Sequence, residues 1–576
     1  MNRTMNGLGN IFATAVLTVA TAVAPATVSA AAPTSPPTHA AGQQGHHADA
    51  APAKSPSRGK TGAPLFTDVG NYHREITTCS DAAQRYFDQG LTLAYAFNHA
   101  EAVRSFTEAA RLDEDCAMAW WGVALAYGPN INKPMAVEDN PKAWEAVQKA
   151  RALAAAGHAS AVEKAMIEAL STRYAEKAPD DRSPLDRAYA DAMREVVKRL
   201  PADNDAATLF AESLMDLMPW DYWTKQARPK PETQELLAAL EGVIARDAGH
   251  PGANHYYIHA VEAVEPGKAL ASADRLLHFA PGAGHLVHMP AHIYLRLGLY
   301  REATVSNELA SKADQSYIAQ CNAQGFYPAM YYPHNMHFLW YTNAMEGRSA
   351  ASIAAAKEIA AHGEHMALGE AQRLRPLLAA VLVRFGRWDE VLAQPRPSQD
   401  QPYETAMWHY TRGLALAAKG RTAEADEALA TVRRIAADEA TKALNTPHLP
   451  GATLIQIAAD DLAGQVALKK GDPGRAVAEL TKAVELEDTL PYMEPPFSYM
   501  PMRHGLGAAL LAAGKAHEAE AVYREDLKRS PNNGWSLFGL AQALRAQGAD
   551  AAAREVTERF NAAWVRADMR ISSSRF

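Results

Sequence analysis

Between residues 83 and 116 the chain carries Tyr86, Gly90, Ala102, Phe106 and Ala109, followed by Leu112-Asp113-Glu114-Asp115. An aromatic is followed four residues later by Gly, and an Ala is followed four residues later by a second aromatic. The flanking sequence is rich in Ala, Leu, Glu and Arg, with apolar residues three and four apart, the period of an amphipathic helix. The small residues let two antiparallel helices approach closely, and the second aromatic fills the gap to the next pair. The same spacing returns near the C-terminus. Gly507, Leu510, Gly514, Ala519, Tyr523 and Pro531 stand at positions 8, 11, 15, 20, 24 and 32 of a unit beginning at Met500. Leu537, Ala541, Leu544 and Gly548 open another unit, and Gly413, Leu416, Gly420 and Ala425, then Gly464, Gly471, Ala476, Leu480 and Ala483, keep the internal spacing between them. One helical hairpin cannot bury its apolar face alone, so a chain with this pattern must stack its hairpins.

The pattern resembles the tetratricopeptide repeat superfamily over most of residues 80–570. The likeness is strong at both ends and looser in the middle, where Gly413, Gly464 and Gly507 lie 51 and 43 residues apart, more than the 34 of that family. The resemblance implies an all-α fold: a right-handed TPR-like α-solenoid of stacked antiparallel helix pairs with a concave groove that holds ligands. Residues 128–145 and 316–333 read as loops or insertions, and loops of that length often cover a functional groove. The Pro-rich stretch 392–403 reads as a joint, so an N-terminal array over 65–395 and a C-terminal array over 396–576 are expected.

Residues 1–30 read as a secretory signal peptide. Arg3 is its n-region, Ile11 to Ala24 its apolar core, and Val28-Ser29-Ala30 supplies small residues for cleavage near Ala30. The apolar core falls short of the roughly 20 residues of a spanning helix, and the first cysteine is Cys79, which excludes lipoprotein processing near residue 30. Residues 31–64 form a disordered Ala/Pro/His-rich linker, His46 and His47 included, with no hydrophobic period. A periplasmic or secreted product is expected. With a net charge of −8 and no long basic run, no nucleic-acid partner and no membrane insertion are expected. The cysteines Cys79, Cys116 and Cys321 are too few for a disulfide framework. Cys79 and Cys116 lie about one repeat apart, and stacked helices at about 8–10 Å exceed the roughly 7 Å a bridge tolerates, so that pairing stays open.

The repeat register gives meaning to the histidines. With Gly298 at position 15, a unit starts at Gly284 and places His285, His288 and His292 at positions 2, 5 and 9 of its first helix. With Gly347 at position 15, the next unit starts at Pro333 and places His334, His337 and Tyr341 at the equivalent positions 2, 5 and 9. In the tetratricopeptide family these positions line the concave groove. The preceding unit, from about His250, places His255 and His259 at 6 and 10, or at 5 and 9 with the register moved by one, and Glu262 at 13. Residues 255–337 hold eight histidines, against about three expected from the 21 in 576.

Three readings follow from this face. As a ligand groove, His285, His288, His292, Arg296, His334, His337 and Tyr341 bind a peptide, protein partner or small ligand, with Asn335, Tyr331, Tyr332 and Trp340 adding polar and flat apolar surface. As a metal site, His255, His259, Glu262, His285, His288, His292, His334 and His337 hold one or two transition-metal ions, Cu, Zn or Fe, because imidazole at i, i+3 or i, i+4 chelates from one helix face. As plain packing, each ring bonds the backbone of its own surroundings. An exported interaction protein is the leading expectation and a metalloprotein, with or without catalysis, the alternative. No catalytic residues are named: the chain has no HExxH, no GxSxG and no Gly-rich phosphate loop. Asn98 reads as an N-cap beside His99 and Glu101. Met493, Met500 and Met502 around Pro495-Pro496 read as a packed loop, with a soft copper ligand set as the alternative.

Overall fold

The computed structural model describes residues 57–58, 62–362, 374–397, 401–446 and 449–576, within a unit spanning Pro56–Phe576. The expected signal peptide and most of the expected linker lie outside the described residues. The rest is the expected all-α, TPR-like solenoid of antiparallel helix pairs. Representative pairs are Asp81–Tyr95 with His99–Leu112, Pro251–Val261 with Leu270–Phe279, Tyr300–Cys321 with Phe326–Met345, and Met502–Ala512 with Ala516–Arg529. Among the described residues, strand structure amounts to two residues at 57–58 pairing with two at 64–65. No described helix is long and apolar enough to cross a membrane.

Steric fit at the spacing seen in the sequence explains why the hairpins stack. The Phe106 ring is fully buried between Gly90 and Gly122, where an added Cβ would stand 2.7 and 2.4 Å from its ring carbons. Tyr523 repeats the arrangement between Gly507 and Gly539, each with a 2.3 Å approach. Each aromatic therefore fills a slot that only glycine leaves open on the flanking helices. Asn98 caps its helix as expected, its side chain accepting from the Glu101 amide. Gly298 ends the Pro290–Arg296 helix at φ 71°, and the Leu299 N–H donates to the Tyr294 carbonyl at 2.8 Å, the closing bond of a left-handed cap.

The last hairpins pack back against the middle ones. Gly298 approaches the Pro531 backbone, Gly347 lies on the Trp564 ring, and Trp535 Nε1 donates to the Ala344 carbonyl at 2.8 Å. Arg566 pairs with Glu346 at 3.2 Å. At the other end, His255 Nδ1 meets the Tyr95 carbonyl at 2.6 Å, tying the first hairpin to the histidine-bearing helices. The first helices of the middle units are thus enclosed rather than left facing an open groove.

Several local expectations are corrected. Residues 316–333 are helical except at the turn around Asn322, which takes the left-handed conformation, so Pro333 sits inside the Phe326–Met345 helix and does not start it. Buried Tyr327, Tyr331 and Tyr332 hold that first turn down. The 128–145 insertion becomes helical from Asn140. His285, His288 and His292 lie on two short helices, Gly284–His288 and Pro290–Arg296, because Pro290 has no N–H to continue the ladder. Met289 between them keeps helical angles, so the three rings still share one face. Cys79 and Cys116 are free thiols. Met500 and Met502, by contrast, are buried as the packed-loop reading expects, with the Met500 sulfur 3.3 Å from an Arg575 guanidinium nitrogen.

Candidate metal centre

Four helical segments bring their histidines to one buried region. Pro251–Val261 supplies His255 and His259, with Glu262 just past its end. Gly284–His288 supplies His285 and His288, Pro290–Arg296 supplies His292, and Phe326–Met345 supplies His334. All but His334, which is half-buried, are at most 5% exposed. Their donor atoms fall into three groups, each within 4.8 Å: His255, His259 and His285; Glu262, His292 and Glu494; and His288, His292 and His334. His337 and Tyr341 are buried on the same long helix but outside these groups; the His337 ring lies 5.9 Å from Trp340, and Tyr341 packs on Trp340 at 5.4 Å.

Outward hydrogen bonds orient two of the rings. His255 Nδ1 faces the Tyr95 carbonyl, which can only accept, so the proton sits on Nδ1 and Nε2 turns its lone pair inward. His288 Nδ1 lies 2.7 Å from Asn307 Oδ1. The Asn307 amide is itself oriented, because its Nδ2 donates to the Ala303 carbonyl at 2.8 Å. That bond fixes the proton on His288 Nδ1 and the lone pair on Nε2. An N–H held by a carbonyl or amide oxygen is the usual outer bond of a metal-ligating histidine. His255 Nε2, His259 Nε2 and both nitrogens of His285 make no hydrogen bond at all. Polar atoms buried without a partner cost about 1–3 kcal/mol each.

Glu262 and His292 carry the charge. His292 Nδ1 lies 3.1 Å from one oxygen of Glu262 and 3.1 Å from one oxygen of Glu494. His259 Nδ1 stands 3.6 Å from the other Glu262 oxygen, beyond hydrogen-bond reach. On the opposite side of its ring, His292 Nε2 lies 2.9 Å from His288 Nε2. Burial pushes His255, His285 and His288 well below the usual imidazole range, so they are neutral and their lone pairs are available. Burial acts against charge on His292 too, but Glu262 and Glu494 overcome it and raise that ring to about 10. Burial likewise works against the Glu262 carboxylate, and His292 and His259 outweigh it and lower the group to about 2. Burial raises Glu494.

Glu494 escaped the sequence reading. It sits in the YMEPPFSYMPM loop, singled out there for its methionines, and enters the centre from a segment some 200 residues beyond His292. Arg296 secures the approach: its Nε stands 3.6 Å from Glu494 and 3.2 Å from the Glu262 carbonyl, over the Tyr492 ring. Two other loops cover the remaining sides. Trp220, at φ 62°, lies edge-on to His259 at 5.0 Å and donates to the Ile131 carbonyl at 3.1 Å. Asn132, in the expected 128–145 insertion, donates to the Tyr331 hydroxyl at 3.3 Å. Phe97 stacks near His285 at 5.5 Å and lies 4.6 Å from His255.

No family model and no curated protein matches the chain. Solved structures similar to it include the Cut9–Hcn1 hetero-tetramer of the APC/C, at 14% identity over 84% of this chain and 74% of that one, with a TM-score of 0.28. The human IFIT1 dimer with m7Gppp-AAAA matches at 13% identity over 84% and 91%, TM-score 0.29. Yeast Tom70 matches at 12% identity over 84% and 91%, TM-score 0.26. At such low identity and TM-score these likenesses bear on neither the site nor the function.

Proposed function

We propose that this chain is a metalloprotein whose helical hairpins build a buried transition-metal centre from His255, His259, Glu262, His285, His288, His292, His334 and Glu494. The observation that carries the reading is the inward aim of lone pairs with outward-fixed tautomers, His255 Nε2 through Tyr95 and His288 Nε2 through Asn307. Plain packing leaves His255 Nε2 and both nitrogens of His285 without partners, and gives His288 Nε2 only the ring of His292, at 2.9 Å. The separations also suit an ion. With bonds of about 2.0–2.1 Å, two ligands to one ion sit about 3.0 Å apart at right angles and about 3.4 Å apart in a tetrahedron. The 3.1 Å approaches of His292 to Glu262 and Glu494 lie in that range. Imidazoles and carboxylates without thiolate suit Zn, Cu or Fe. A peptide lying along these helices would need the rings exposed, and at this depth they offer it no face. A protein partner of the array would dock on its outer surfaces instead.

The test is a titration of chelator-treated protein with Zn(II) and with Cu(II), followed by desalting and elemental analysis. At least one ion per chain is expected to remain, and the His285→Ala plus His288→Ala variant is expected to retain less. Retention below one ion per chain, or equal retention by a folded variant, contradicts the proposal. Export belongs to the same reading, supported by the leader pattern of residues 1–30. N-terminal sequencing of the extracytoplasmic protein is expected to begin near Ala31, and an intact Met1 there would contradict it.

A further inference from the structure

Two of the three ligand groups share one residue, and they meet it on opposite sides. Glu262 and Glu494 stand at His292 Nδ1, both at 3.1 Å. His288 stands at His292 Nε2, at 2.9 Å, and His334 completes that second group with its ring 5.7 Å from that of His292 and 4.8 Å from that of His288. We infer that His292 is a bridging imidazolate joining two metal ions, one held with Glu262 and Glu494, the other with His288 and His334. This rests on the metal reading above and adds the number of ions and their linkage.

Charge gives the physical reason. The His288–His334 side brings imidazoles and no carboxylate, and a dication buried among ligands without negative charge carries a large desolvation cost. An imidazolate bridge supplies one negative charge shared by both ions. Together with the Glu262 and Glu494 carboxylates it sets three negative charges against four positive ones. Bonds of about 2.0–2.1 Å on either side of the ring hold the ions about 6 Å apart, which moderates their repulsion. Each ion takes one ring lone pair, and the protons of His292 leave to solvent. The surroundings hold the ring for this task. Phe338 packs 4.7 Å from it, Arg296 anchors the Glu494 loop, and His288 is oriented by Asn307.

Copper makes the bridge visible, because two Cu(II) ions joined through one imidazolate couple antiferromagnetically and leave the low-temperature EPR spectrum. The probe is Cu(II) alone, added to saturation, with bound copper measured by elemental analysis and unpaired spins by EPR integration on the same sample. Bound copper is expected to exceed EPR-visible copper by about two ions per chain, whatever the third histidine group holds. Acid denaturation is expected to return the missing signal. The His334→Ala variant, altered at the half-buried edge of the centre, is expected to bind one ion fewer and to show all its copper as isolated Cu(II). Full visibility of bound copper in the unaltered chain overturns the bridge while leaving the metal reading intact. A deficit that survives denaturation is cuprous copper and also overturns it. Failure to retain copper or zinc at all overturns the metal reading itself.

Discussion

Gly122 offers a test in which the two contributions have opposite signs. It lies inside the Ala117–Tyr127 helix, where replacing Gly by Ala ordinarily stabilises by about 0.5–1 kcal/mol. Here the new Cβ would stand 2.4 Å from Phe106 Cδ1 and 2.6 Å from Cε1 and Cγ. Carbon atoms prefer about 3.5–4.0 Å, so the overlap exceeds an ångström against a rigid, fully buried ring. Overpacking of that kind costs about 1–3 kcal/mol, and at this overlap the upper half of that range applies. Gly122→Ala is therefore expected to destabilise the first hairpins by about 1–2 kcal/mol net. Gly242, inside Pro231–Arg246, is the control, because its nearest neighbour to an added Cβ is a flexible Arg246 nitrogen at 3.5 Å. Gly242→Ala is expected to stabilise by about 0.5–1 kcal/mol. Repeat arrays do not unfold as one unit, so the assay is hydrogen exchange resolved by segment. Protection across residues 81–127 should fall about 5- to 30-fold in Gly122→Ala, and Phe106→Ala in the same chain should couple to it by more than 1 kcal/mol. A Gly122→Ala protein as protected as Gly242→Ala would refute the steric account of stacking.

Three further outcomes are expected. Metal affinity should rise with pH, because His292 stays protonated in the metal-free chain up to about 10 and each ion must displace its protons. Titration calorimetry in buffers of different ionisation enthalpy should show proton release, and binding without it would contradict the role of His292. Asp314, buried and raised to about 7, accepts from Tyr327 and Asn335, and Tyr327 in turn holds the His285 amide. Its folded-state proton is held more tightly than the unfolded one, so stability should fall as pH rises from about 4 to about 7, by at most about 1.4 kcal/mol per pH unit. Asp314→Asn should flatten that profile in denaturant melts, and an unchanged slope would count against it. Finally, Arg575 lies buried near the C-terminus, paired with Asp461 and beside the Tyr410 hydroxyl. Arg575→Ala should cost about 3–5 kcal/mol by leaving that buried carboxylate without its counter-ion, held only by the Tyr410 hydroxyl and the Gln465 amide, with recovery in the Asp461→Asn, Arg575→Met double variant. Equal midpoints for the single variant and the unaltered chain would dismiss the pair.

The fold was legible wherever neighbours in sequence are neighbours in space. Gly90 with Phe106, and Gly507 with Tyr523, announce their slots because a repeat packs on the next one. The histidine face was legible for the same reason, as helical spacing survives even the interruption at Pro290. Contacts that skip many repeats were not. Nothing local in Trp535 or Trp564 says that they meet Ala344 and Gly347, so an enclosed interior reads from the sequence as an open groove. Glu494 is a lone carboxylate among prolines and methionines, and only the long-range packing of its loop makes it a partner of His292. Helix limits around Pro333 misled because proline is read as a start, whereas the buried tyrosines before it hold another turn in place.

The most direct test is diffraction from crystals of metal-loaded protein, recorded above and below the absorption edge of the ion. Anomalous difference peaks are predicted between Glu262, His292 and Glu494 and between His288, His292 and His334, about 6 Å apart. Loaded crystals with ordered side chains at these positions and no anomalous peak among them would contradict the account.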